Sequence, residues 1–127
     1  MSIVRFDPFA DLLTSGRWVP AVDIFESGAQ ELVLKAELPD MKREDISVVF
    51  ENGTLTLKGE RKVSADVKQE QFHRVERAYG TFRRSFSLPT TVDATRIAAD
   101  YKNGVLTVTV PFREESRPRT INVEVAA

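Results

Sequence analysis

The 127-residue chain reads as all-β, a sandwich or barrel of short antiparallel strands. Three observations predict this. Apolar side chains alternate with polar ones in five separate runs between residues 31 and 111, the period of a strand with one buried and one wet face. Asn-Gly pairs stand at Asn52-Gly53 and Asn103-Gly104, each just ahead of such a run; Asn-Gly supplies the positive φ of a tight hairpin turn. No helical pattern longer than a turn or two runs through residues 20–111.

In chain order, residues 1–17 form an apolar arm. Asp7-Pro8 resembles a helix N-cap followed by a first-turn proline, and Phe9, Leu12 and Leu13 then share one face. So short a helix is not stable alone in water. Ile3, Val4, Phe6, Phe9, Leu12 and Leu13 therefore need cover, from the same domain, from another subunit or from a partner. The arm is too short and too charged to span a membrane, and it lacks the pattern of a signal peptide. The first run, ELVLKAEL (31–38), alternates Leu32, Leu34, Ala36 and Leu38 and ends at Pro39, which cannot donate to a ladder. DISVVF (45–50) alternates Ile46, Val48 and Phe50, and TLTLKGE (54–60) alternates Leu55 and Leu57. Residues 61–79 are polar and long for a connection without a role of its own. TFRRSFSLP (81–89) places Phe82, Phe86 and Leu88 on one side, and VLTVTVP (105–111) places Leu106, Val108 and Val110 on one side. REESRPR (113–119) reads as a charged linker, after which Ile121, Val123 and Val125 alternate as in a strand with no evident partner. The implied organisation is an arm (1–17), one domain (18–112) and a C-terminal extension (113–127).

Composition excludes several functions. The net charge of −1 gives no general attraction to nucleic acid or anionic membranes. Arg74, Arg77, Arg83 and Arg84 lack the aromatic platform of a single-strand binder. With no cysteine and one histidine, disulfides, thiolate metal sites and multi-histidine sites are ruled out. There is no glycine-rich phosphate loop, and His73 has no identifiable partner for a catalytic triad. We expect neither an enzyme nor a bound cofactor or metal, and we expect a cytoplasmic protein.

The residues together resemble a known family. VDIFESGAQELVLKAELPDMKREDISVVFENGTLTLKGER (22–61), FHRVERAYGTFRRSFSLP (72–89), NGVLTVTVP (103–111) and the Ile121-Asn122-Val123 triplet closely resemble the α-crystallin domain of bacterial and plant small heat-shock proteins. Arg5-Phe6-Asp7-Pro8-Phe9 is similar to the arms of bacterial members. The resemblance implies a two-sheet antiparallel, immunoglobulin-like sandwich. It implies an ATP-independent holdase that binds partly unfolded clients and assembles into larger homo-oligomers. It implies a strand near Phe72, His73, Arg74, Val75, Glu76 and Arg77 that swaps onto the partner's edge strand near Ile24, with Arg84 at the same interface, paired with an acid. It implies that Ile121 and Val123 dock in a neighbour's apolar groove, between strands at Asp45–Phe50 and Thr95–Tyr101, with Ile46, Val48, Ile97 and Ala99 as its floor. The arm residues from Ile3 to Leu13 would contact clients and stabilise assembly. The alternative is a monomeric sandwich that serves a folded partner as co-chaperone; such modules generally lack both the long connection and the tail triplet.

Overall fold

In the computed structural model, which describes residues 18–114 and 120–126, each of the five alternating runs between residues 31 and 111 contains a strand, whereas the alternating Ile121, Val123 and Val125 form none. The strands are β1 (Val22–Ser27), β2 (Glu31–Glu37), β3 (Ile46–Glu51), β4 (Thr54–Arg61), β5 (Gly80–Ser87), β6 (Ala98–Lys102) and β7 (Val105–Pro111). All pairings are antiparallel and form two sheets, ordered β1-β2-β7-β6 and β3-β4-β5. The sandwich alternative of the sequence reading is the observed one.

The two Asn-Gly pairs build the β3–β4 and β6–β7 hairpins. Asn52 and Gly53 have φ of 51° and 75°, and Asn103 and Gly104 of 55° and 76°. Both central residues are left-handed, which keeps the turn's twist in step with the strands it joins. Gly104 has a second role: a Cβ there would stand 3.0 Å from Pro39 Cα.

Alternation fixes the core. Leu34, Ala36, Leu106, Val108 and Val110 face inward from one sheet, and Leu55, Leu57 and Phe82 from the other; all are buried, together with Leu38 and Val92. The register lines them up, with Leu34 opposite Val108 and Gly59 opposite Phe82. At Gly59 a Cβ would lie 2.4 Å from the Asp45 carbonyl oxygen and 2.8 Å from the Phe82 ring. The ring therefore takes the space that a side chain would need. The edge of Trp18 packs on the same ring, with centroids 5.2 Å apart and planes at 75°.

β6 begins later than the strand assigned to Thr95–Tyr101 by resemblance. Residues Ala94–Arg96 form a 3-10 turn, because the Asp93 carboxylate accepts from both Thr95 N (3.1 Å) and Thr95 Oγ1 (2.6 Å). At the far end of β7, Arg113 is tied to the domain. Its backbone N–H donates to Thr91 O at 2.7 Å, and its guanidinium donates to Thr90 O and Val92 O.

Candidate functional site

A sandwich of two open sheets has four edge strands, and unpaired edges invite partners. Here they are β1, β6, β3 and β5. Contacts between the sheets show which edges face one another. Trp18, just before β1, packs on Phe82 of β5, and Arg84 of β5 donates to Pro20 O at 2.9 Å. These contacts place β1 over β5. β6 therefore lies over β3 at the opposite margin, and there the Tyr101 hydroxyl donates to Leu38 O and accepts from Met41 N–H.

The β3/β6 margin is open. Ile46, Val48 and Phe50 pair with Gly59, Leu57 and Leu55, so they point to the core side; all three stay half-buried. Across the gap Ile97 and Tyr101 are half-buried too. Ala99 is the informative residue. It lies opposite Val108, which is fully buried, and so faces inward, yet Ala99 itself is exposed. An inward-facing residue can be exposed only where nothing closes the sandwich. Ile46, Val48, Ile97 and Ala99 thus face this margin from its two sides.

The β1/β5 margin gathers a second group. Ile24 and Phe25 of the β1 edge are each 44% exposed. Arg84 reaches the Pro20 carbonyl and lies over the Phe86 ring at 5.1 Å; among the described residues it pairs with no carboxylate. Within the single chain Phe72–Arg77 does not form a strand. Arg74 pairs with Glu76 at 3.0 Å, a two-residue spacing that puts both on one side of an extended chain. Arg77 pairs with Asp40 at 2.9 Å. Phe72 and Val75 are half-buried and His73 is exposed. Phe72 helps line a cavity of about 740 Å³ under the 61–79 connection.

At the end of the chain, Ile121, Val123 and Val125 are 81%, 91% and 94% exposed. The arm residues Ile3, Val4, Phe6, Phe9, Leu12 and Leu13 lie outside the described residues.

Arg61 went unnoticed in the sequence. It is only 7% exposed. Its Nε donates to Ala78 O at 2.7 Å and its Nη1 to Pro39 O at 3.1 Å, while the guanidinium stacks 4.0 Å from the Trp18 ring centre. Burial, with the nearby charge of Arg77, lowers its pKa, but an arginine so placed remains a cation. One side chain thus joins the residue where the arm meets the domain, the end of the long connection and the turn after β2. The signal was present: Leu55, Leu57, Gly59 and Arg61 alternate, so strand period alone puts Arg61 on the core face.

Comparison with known proteins follows the same outline. Residues 24–125 match the model of the Hsp20/alpha crystallin family. The 17.8 kDa class I heat shock protein of Arabidopsis thaliana is 42% identical over 127 aligned residues, covering 93% of this chain and 80% of that one. Small heat shock protein C2 of Rickettsia felis is 35% identical over 111 residues, covering 87% and 71%. Among solved structures, a small heat-shock protein from Xylella fastidiosa, described as having a distinct high order structure, superposes with a TM-score of 0.71 at 42% identity, covering 87% of this chain and all of that one. Heat shock protein 16.0 of Schizosaccharomyces pombe gives 0.70 at 34% identity, covering 85% and 100%.

Proposed function

The chain belongs to the Hsp20/alpha-crystallin family, whose members are chaperones rather than enzymes, and on that footing we propose that it is an ATP-independent cytoplasmic holdase working as a homo-oligomer. The observation that carries this reading is the open margin between β3 and β6, where the inward-facing Ala99 is exposed, in a chain whose own tail exposes an alternating apolar segment. A surface and a segment of matching chemistry on one chain make it self-associating.

The proposed assembly has two levels. Residues 72–77 pair with the β1 edge of a partner near Ile24, adding a strand by backbone hydrogen bonds, with Arg84 at the same margin. Ile121 and Val123 then enter the slot formed by Ile46, Val48, Ile97 and Ala99 of a neighbouring dimer. Burying two aliphatic side chains is worth roughly 3–6 kcal/mol. Ordering the linker and losing rigid-body freedom offset much of it. Each link is weak, and many links in one assembly act together through effective concentration. Weak links release subunits readily, exposing the arm and the slot. A client's apolar surface is then covered before it meets another unfolding chain.

The test is light scattering of a heat-denaturing client protein with the full chain at near-equal subunit ratio, without nucleotide. Suppressed scattering is the expected result. Unchanged scattering overturns the holdase reading, and a monomeric chain that leaves scattering unchanged would instead favour a co-chaperone for a folded partner.

A further inference from the structure

Arg61 is the last residue of β4, where the long connection begins. It pairs in the ladder with Gly80, the first residue of β5, so residues 62–79 leave and return at one point. We propose that Arg61 is a latch between the arm and the connection: its guanidinium holds Trp18 at the arm's root and Ala78 at the connection's end at once, so that freeing either loosens the other. The latch goes beyond the proposed function, because it rests on contacts within a single chain and holds whether or not residues 72–77 swap.

The two holds use one rigid group. A guanidinium carries its N–H donors in a fixed planar fork and also stacks on aromatic rings. Here Nε donates to Ala78 O at 2.7 Å and Nη1 to Pro39 O at 3.1 Å. The same group stands 4.0 Å from the Trp18 ring centre and 5.8 Å from that of Tyr79. Among the described residues no carboxylate pairs with Arg61. Its charge, buried in the folded chain, is held by carbonyls and rings.

Burial couples the holds. If Ala78 moves away, Nε loses its acceptor and must be met by water. Water at the cation weakens its attraction to Trp18, since cation–π contacts are strongest when desolvated. If Trp18 leaves instead, the cation is wetted, and water competes for its bonds to Ala78 O and Pro39 O. Coupling of this kind is reciprocal.

Other contacts flank both ends. At the connection's end, Arg77 pairs with Asp40, next to Pro39, and donates to the Tyr79 hydroxyl at 3.3 Å. At the arm's root, Trp18 also packs on Phe82 of β5. That ring is a rival route from Trp18 to the connection, and the experiment separates the two.

Trp18 is the single tryptophan of the chain, so its fluorescence reports the arm's root directly. In the full chain at fixed concentration, well below unfolding, Arg61→Gln should red-shift the emission and open it to acrylamide quenching. Arg61→Lys, which keeps the charge without the fork, should fall between. Hydrogen exchange of residues 78–82, read by mass spectrometry, reports the connection's end. Trp18→Leu and Arg61→Gln should each speed it about fivefold or more, the low end of ordinary coupling between sites. Val19→Ala, at a neighbouring side chain that is exposed, should leave it unchanged. The double variant Trp18→Leu with Arg61→Gln should exchange no faster than the faster single variant, because both changes break the same contact. Multiplied effects would mean that Trp18 acts through Phe82, and would overturn the latch. Unchanged Trp18 quenching in both Arg61 variants would overturn it too, as would equal speeding by Val19→Ala. Exchange that quickens as much in β2 and β7 would reduce Arg61 to a general stabiliser, which also overturns the latch. If circular dichroism shows Arg61→Gln to be unfolded, Arg61→Lys enters the same cycle with the same criteria.

Discussion

Replacing Gly59 by alanine should destabilise the domain, although in a strand that change ordinarily helps. Gly→Ala at a site without conflict gains about 0.4–1 kcal/mol by restricting the unfolded chain. At Gly59 the new Cβ meets two obstacles of different stiffness. The Phe82 ring, at 2.8 Å, can tilt, but it is held by Trp18 and the core. The Asp45 carbonyl oxygen, at 2.4 Å, is backbone at the entrance to β3. Relief requires β3 to move outward by most of an ångström. Overpacking of this kind costs about 1–3 kcal/mol, and a backbone obstacle puts the cost at the upper end. The net loss is about 2 kcal/mol. For a domain of this size that lowers Tm by roughly 10 °C. Urea unfolding at fixed protein concentration measures it, since assembly makes stability concentration-dependent. Gly28→Ala is the internal control: nothing lies within 4 Å of a Cβ there, so it should be neutral or slightly stabilising. Equal stability of the two variants would refute the close approach of β3 and Phe82 to Gly59.

Two further outcomes are expected. A chain ending at Glu115 removes the exposed Ile121 and Val123, and light scattering behind gel filtration should show large assemblies falling to dimers; equal sizes would mean that another contact holds the assembly. At Asp93 the hydrogen bonds from Thr95, aided by the charges of Arg96 and Arg113, hold the carboxyl below its usual pKa. A depressed folded pKa contributes stability above the unfolded pKa and loses it as pH falls through the folded one. Asp93→Asn should therefore be less stable than the parent at pH 7, and the gap should narrow as pH falls through the carboxyl's depressed pKa; a gap that does not narrow at any acid pH where the domain stays folded would mean that the carboxylate's charge is irrelevant to the turn.

Strand identity and facing direction were legible from residue order alone, because period-2 alternation is a local property. Leu32, Leu34 and Ala36, or Leu106, Val108 and Val110, fall on one face in any fold that makes them a strand. The hairpin turns were equally local, written in Asn52-Gly53 and Asn103-Gly104. β6 was weakly marked, since Ala98–Lys102 carries two alanines and a tyrosine in place of an apolar alternation; Asp93 and the β7 ladder determine where it starts. Only tertiary structure decided which strands became edges. Alternation states that Val48 faces inward, and for Ala99 only the family resemblance pointed there; neither states that β3 and β6 end their sheets at the same margin, and that margin is what leaves Ala99 open to solvent while Val108 opposite it is sealed. The same holds for Arg61, whose burial depends on Trp18, Pro39 and Ala78 converging from three distant segments. Strand neighbours are chosen by contacts far apart along the chain, and no periodicity within one strand encodes them.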